Sequence, residues 1–181
     1  MEKTGTPIGS YAPDFELPGI DGMVHHLARY LEKASAVGVI FMCNHCPYVQ
    51  LYLSRLNQIQ TDFQSQGFTL IGINANDDKR YPDDSFENMK QFAAAQQLNF
   101  PYLRDITQDV AKTFGAEKTP EAFLIDRSGI LRYSGLIDDN PQDPDAVRVS
   151  YLRDAIAQLL AHGSVAVPST NSVGCSVKWR Q

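Results

Sequence analysis

Cysteine is scarce in this chain: only Cys43, Cys46 and Cys175 occur among 181 residues. A disulfide-stapled secreted scaffold is shorter, richer in cysteine and usually even in its count, so that class is excluded. Long hydrophobic runs are missing as well, since the longest, residues 36–42, is about a third of a membrane span. Positive charge is not in excess: 16 Lys and Arg are scattered among 21 Asp and Glu, for a net charge of −5. Without a basic stripe to neutralise phosphates, nucleic acid is excluded as a partner. The opening Met1-Glu2-Lys3-Thr4-Gly5-Thr6-Pro7 has neither the apolar stretch nor the small-residue cleavage site of a secretory signal. The expectation is a cytoplasmic protein that engages no membrane.

What is present suits one compact domain, since 43% of the residues are hydrophobic. No repeat, low-complexity tract or linker divides the chain. Residues 1–163 are read as the domain and 164–181 as a tail carrying Cys175. Asp14-Phe15-Glu16-Leu17 and Val24 to His26, joined through Asp21-Gly22, predict a β-hairpin. Residues 36–42 form a continuous apolar run, as in a central strand buried on both faces. Val49, Tyr52, Leu53, Leu56, Ile59 and Phe63 then fall at helical spacing. A second buried strand at 68–73 precedes a polar loop over 74–84, and Phe86, Met89, Phe92 and Ala93 mark another helix. Asp83, Asp84 and Ser85 are its candidate N-caps. A short helix at 105–114, strands at 122–125 and 130–133, and a helix through Tyr151, Leu152, Ala155, Ile156 and Leu159 complete the pattern. The order hairpin, β, α, β, α, short α, β, β, α implies an α/β fold, with a mixed central sheet flanked by helices.

Chemistry concentrates in Cys43-Asn44-His45-Cys46-Pro47, at the junction of a buried strand and a helix. Unpaired N–H groups and the dipole at a helix N-terminus stabilise a thiolate, which is the nucleophile of disulfide exchange. A second sulfur three residues away can displace a mixed disulfide. His45 can add charge or a hydrogen bond, and Pro47 removes an N–H that the first turn does not use. Two other readings of the cysteines stand beside this one. They can be plain core thiols, or Cys43, His45, Cys46 and Cys175 can hold zinc, although structural zinc usually draws on two separated ligand pairs and no second pair exists. Redox chemistry without metal or cofactor is favoured. Asp77, Asp78, Asp83 and Asp84 do not match the calcium-loop spacing and read as a solvated loop with a helix cap. His25 and His26 read as surface residues, and Tyr81-Pro82 as a possible rim of the active site.

Four segments together resemble the thioredoxin superfamily, and within it the alkyl hydroperoxide reductase/thiol-specific antioxidant, or peroxiredoxin-like, branch. They are Tyr11-Ala12-Pro13-Asp14-Phe15-Glu16-Leu17 with Asp21-Gly22, Phe41-Met42-Cys43-Asn44-His45-Cys46-Pro47-Tyr48, Phe100-Pro101-Tyr102-Leu103-Arg104-Asp105, and Thr119-Pro120-Glu121-Ala122-Phe123-Leu124-Ile125-Asp126-Arg127-Ser128-Gly129. The string CNHCPYV and the terminal VGCSVKW resemble a bacterial peroxiredoxin-like subgroup. The resemblance implies a thioredoxin-like fold, with Pro120 as a cis-proline facing the cysteines and Thr119 before it. In the family, the backbone there pairs with an extended thiol substrate and keeps metal away.

Two departures bear on activity. Met42 stands where thioredoxins carry Trp, so the surface near the sulfurs differs. Cys46 takes the peroxidatic place, Cys43 replaces the peroxiredoxin Thr, and Pro120 falls where the activating Arg would be, leaving Arg104 or Arg127 as substitutes. The first expectation is therefore a thiol–disulfide oxidoreductase in which Cys43 attacks and Cys46 resolves. Its partners are a protein or small-molecule disulfide and a thiol reductant. The alternatives are an antioxidant hydroperoxide-reducing enzyme, with Cys46 attacking the peroxide to become a sulfenic acid and Cys43 or Cys175 resolving, and a non-enzymatic redox-sensing or metal-binding module. Cys175 is either a resolving cysteine folding back or a plain thiol in a docked tail. The resemblance also suggests pairing into a homodimer.

Overall fold

The computed structural model describes residues 5–181. The reading of the first seven residues falls in part on 1–4, which lie outside the described residues. Among the described residues, no helix is long and apolar enough to cross a membrane.

The hairpin forms from β1 (Glu16–Pro18) and β2 (Val24–His26), its turn held by the Met23 N–H donated to Asp21 Oδ1 at 3.1 Å. Helix α1 (Leu27–Lys33) follows. Strand β3 (Ala36–Phe41) is buried at all six positions, as its unbroken apolar run requires. Helix α2 (Pro47–Phe63) turns Val49, Tyr52, Leu53, Leu56, Ile59 and Phe63 inward and leads through a 3-10 turn to Gly67, which adopts the left-handed φ of 83° that lets the chain reverse into β4 (Phe68–Asn74). A second 3-10 turn (Pro82–Asp84) precedes α3 (Phe86–Ala95). Then come β5 (Tyr102–Arg104), α4 (Asp109–Phe114), β6 (Lys118–Thr119), β7 (Glu121–Asp126), β8 (Leu131–Gly135), α5 (Tyr151–His162) and β9 (Cys175–Ser176).

The central sheet has the order β5-β4-β3-β7-β8. Strand β3 pairs parallel with β4 and antiparallel with β7, so the sheet is mixed, as expected. Alternation along β3 sends Ala36 and Ile40 to one face with α2, α3 and α5, and Val37, Val39 and Phe41 to the other with α1, α4 and the hairpin. Two apolar layers result, one on each side of the sheet.

Four elements were not expected from sequence. Helix α1 is only seven residues long and its N-cap, His26, makes no side-chain capping bond, so its two turns carry too little periodicity to register. Strand β5 is three residues with a charged member, Arg104, that is nonetheless buried. Strands β6 and β9 are two residues each and exist only because they pair with one another.

Gly72 in β4 faces Met42. A Cβ there would lie 2.8 Å from Met42 Sδ and 3.2 Å from the Phe100 and Tyr102 rings. Gly72→Ala is therefore expected to destabilise the fold by about 1–3 kcal/mol through overpacking, read as a lower urea midpoint. An unchanged midpoint would mean that the flexible Met42 side chain moves aside without loss.

Candidate active site

The register of β3 against β7 locates the site. Phe41 pairs with Glu121 at one end and Ala36 with Asp126 at the other. The chain leaving β3 into Cys43 and the chain entering β7 through Thr119 and Pro120 therefore meet at the same end of the sheet. The Thr119–Pro120 peptide is cis. Thr119 touches both nearby sulfurs, with its Oγ1 3.7 Å from Cys43 Sγ and its carbonyl oxygen 3.4 Å from Cys46 Sγ.

The loop between the cysteines is held from below by polar groups. The Asn44 N–H donates to Asp84 Oδ1 at 2.8 Å, Asn44 Nδ2 to the Asp83 carbonyl at 2.8 Å, and Tyr102 Oη to Asn44 Oδ1 at 2.8 Å. Cys46 is the N-cap of α2, with Pro47 at the first helical position and its own carbonyl accepting the Gln50 N–H. The first-turn N–H groups and the helix dipole thus face the Cys46 end of the motif, which favours negative charge there.

Cys43 experiences the opposite field. Burial above all, and then the negative charge of Asp84, push its thiol up to about 11, against weaker help from Thr119 and the Cys46 and His45 amides. Asp84 itself is fully buried; its Oδ2 accepts from Asn76 Nδ2 at 3.0 Å and its Oδ1 also from Asn74 Nδ2 at 3.2 Å. His45 places Nδ1 2.7 Å from Asp84 Oδ2 and stacks on the Tyr81 ring at 5.9 Å between centroids. The His45–Asp84 approach is close but lacks the alignment of a hydrogen bond.

The disulfide in the structure joins Cys46 to Cys175, with Cα atoms 6.3 Å apart and 129 residues between them in sequence, and Cys43 is a free, buried thiol. The bond formed here is therefore not between Cys43 and Cys46; the tail cysteine folds back onto Cys46, one of the two roles open to Cys175. The physical reason is the tail: β9 pairs antiparallel with β6, Thr119 opposite Cys175, and carries the third sulfur to the helix end.

Further corrections concern charge. Asp84 is not part of a solvated loop, and the helix cap is Ser85, whose Oγ accepts the Asn88 N–H at 3.2 Å. Neither arginine reaches the sulfurs. Arg127 bonds Ser35 at the opposite end of the sheet, and Arg104 is spent on the Asn74 and Asn76 carbonyls and on Asp78. Tyr81 does form part of the rim. Sequence reasoning also missed Glu121, a buried carboxylate that accepts the Glu117 and Lys118 N–H groups and shapes the approach to Thr119. Its only signal was an acid inside an apolar strand. Cys43, His45 and Asp84 bring their ligand atoms within 4.8 Å of one another and are the residues that could hold a metal, while Cys46 and Cys175 are consumed in the disulfide.

A thioredoxin-like sheet, a strand–helix junction with two cysteines, and a cis-proline opposite them define a thiol–disulfide oxidoreductase. The chain belongs to the AhpC/TSA family, whose model matches residues 8–134. It is 30% identical over 131 residues to the thiol-disulfide oxidoreductase ResA of Geobacillus thermodenitrificans, covering 72% of this chain and 70% of that protein. Among solved structures it is similar to an uncharacterized conserved protein of Geobacillus kaustophilus, with 38% identity, a TM-score of 0.89, and coverage of 96% of this chain and 93% of that one. It is also similar to a hypothetical protein of Sinorhizobium meliloti 1021, with 36% identity, a TM-score of 0.87, and coverage of 97% and 96%.

The field of Asp84 on Cys43 is directly testable. In the oxidised protein, Asp84→Asn is expected to shift Cys43 ionisation to lower pH, followed by the pH dependence of the Cys43 13Cβ chemical shift. An unmoved midpoint would leave burial as the whole cause.

Proposed function

We propose that Cys46 and Cys175 are the redox couple that this enzyme interconverts between dithiol and disulfide, with Cys46 the attacking sulfur and Cys43 a protonated reserve thiol. The observation that carries this reading is the position of Cys46, capping α2 and bonded to Cys175. A thiolate at a helix N-terminus is both a better-populated nucleophile and a better leaving group than one buried beside a carboxylate. The expected division of labour is thereby reversed: Cys46 attacks, and Cys43 is held back by burial and Asp84. Thr119 positions both sulfurs through its hydroxyl and carbonyl. His45, beside Asp84 and stacked on Tyr81, is a positioning residue.

In the reducing direction, the Cys46 thiolate attacks one sulfur of a substrate disulfide and the other leaves as a thiolate. The Cys175 thiolate then attacks Cys46 Sγ, forming the internal disulfide and releasing the second substrate thiol. An external thiol reductant returns the enzyme to the dithiol.

A second reading, reduction of a hydroperoxide, draws on the long-range pairing of Cys46 with a tail cysteine, because a sulfenic acid formed at Cys46 would condense with Cys175 to the same disulfide, releasing water. That neither Arg104 nor Arg127 reaches the sulfurs weighs against it.

Single Cys→Ser variants separate these roles. In a hydroxyethyl disulfide assay, Cys46→Ser is expected to lose activity by about 100-fold or more, Cys175→Ser to accumulate a mixed disulfide on Cys46, and Cys43→Ser to stay within several-fold of the parent. Loss centred on Cys43→Ser instead would return the attacking role to Cys43. Rapid peroxide-driven sulfenic acid at Cys46, trapped by dimedone and located by mass spectrometry, would favour the second reading.

A further inference from the structure

We infer that this chain keeps the strand edge beside its redox sulfurs filled with its own tail, and so exchanges electrons with small disulfides and thiols while excluding disulfides carried on extended protein segments; the inference rests on the assignment of Cys46 and Cys175 made above. A peptide segment that brings a cysteine to Cys46 has the Lys118–Thr119 backbone to pair with, because Thr119 lies against both sulfurs. Strand β9 already occupies that backbone, with Lys118 opposite Ser176 and Thr119 opposite Cys175. The fit is close. A Cβ on Gly174 would overlap the Thr119 carbonyl, so only glycine lets the tail approach this near.

The tail is also clamped on both sides of Cys175 by bonds that do not involve the disulfide. On one side the Ser134 N–H donates to the Pro168 carbonyl, the Thr170 N–H to the Ser134 carbonyl, and the Leu136 N–H to Thr170 Oγ1. On the other, the Val177 N–H donates to the Glu117 carbonyl, the Lys178 N–H to Asn76 Oδ1, and the Asp77 N–H and Gln108 Nε2 to the Lys178 carbonyl. Val177 is buried, and Arg80 donates to the Trp179 carbonyl. Cleaving one S–S bond in the middle leaves these anchors in place, so the strap stays over the edge in the reduced protein too.

Access follows from the same geometry. Cys46 is 0% and Cys43 1% exposed, whereas Cys175 is only half-buried. A small thiolate therefore attacks Cys175 Sγ. The new S–S bond forms as the Cys46–Cys175 bond breaks, and its electron pair leaves with Cys46 as a thiolate at the N-terminus of α2. A second small thiolate attacks the small-molecule sulfur of the mixed disulfide, releasing a small disulfide and the Cys175 thiolate. The two protons given up by the small thiols serve Cys46 and Cys175. Two thiols are oxidised as one protein disulfide is reduced; breaking the bond to Cys175 frees Cys46 Sγ on the side that sulfur covered, and its thiolate then attacks a small disulfide in the reducing sequence given above.

The test compares hydroxyethyl disulfide with insulin, using dithiothreitol as reductant, for the wild type and Gly174→Ala. The wild type is expected to favour the small disulfide by about 100-fold or more, and Gly174→Ala, which forces the strap off Thr119, to narrow that ratio at least tenfold. A ratio near one in the wild type, or a ratio that Gly174→Ala leaves unmoved, overturns the inference. Hydrogen exchange on the wild type gives an independent reading. Protection of the Val177 and Lys178 amides, and emission of the lone Trp179, are expected to survive reduction; loss of either overturns the inference. Cys46→Ser in the same assay keeps the two ideas apart. Activity surviving there defeats the assignment of Cys46, whereas a Cys46-dependent enzyme that handles insulin as well as the small disulfide defeats only the strap.

Discussion

The antiparallel pairing of β3 with β7 is the constraint on which the site depends. With Phe41 opposite Glu121, the exit of one strand and the entry of its neighbour lie at the same end of the sheet. The two-cysteine loop directly follows β3 and the Thr119–Pro120 turn directly precedes β7, so the register alone brings them into contact. A slip of one residue would turn every side chain of β3 to the other face and separate two apolar layers from their helices. Chemistry and core are thus secured by the same hydrogen-bond ladder.

Within that frame, two sulfurs three residues apart stand in opposite electrostatic surroundings. Cys46 caps a seventeen-residue helix and faces its unpaired N–H groups. Cys43 lies buried beside Asp84, whose carboxylate is fixed by Asn44, Asn74, Asn76 and His45. Such a buried carboxylate persists because its lone pairs are satisfied; removing a partner would leave a costly unpaired charge. The same Asp84 that holds the loop in shape therefore also disfavours a thiolate on Cys43. Structural and functional roles coincide in one side chain.

Much of the fold was legible because its signals are long and local. The apolar run of β3, the helical spacing of α2 and the glycine turn after it carry their own physical causes, and the structure reproduces them within a residue or two. Short elements were not legible. Helix α1 has two turns, and β6 and β9 have two residues each, so their formation is decided by what they touch. Arg104 and Glu121 are charged residues that are nonetheless buried, because each finds backbone partners that sequence spacing does not reveal.

The sequence by itself determined that this is an α/β chain with redox-active cysteines at a strand–helix junction, since a thiol's chemistry and a helix N-terminus are both local properties. It also marked Thr119 and Pro120 through a resemblance carried by four linked segments. Which two cysteines bond, which one is held back, and what lies along the Thr119 edge were decided only by tertiary structure. Those outcomes depend on a tail 129 residues from Cys46 and a carboxylate 41 residues from Cys43 (84 − 43) coming together at one edge. Contacts over such separations leave no periodic trace in a single chain, because they are made by packing and not by neighbours in sequence.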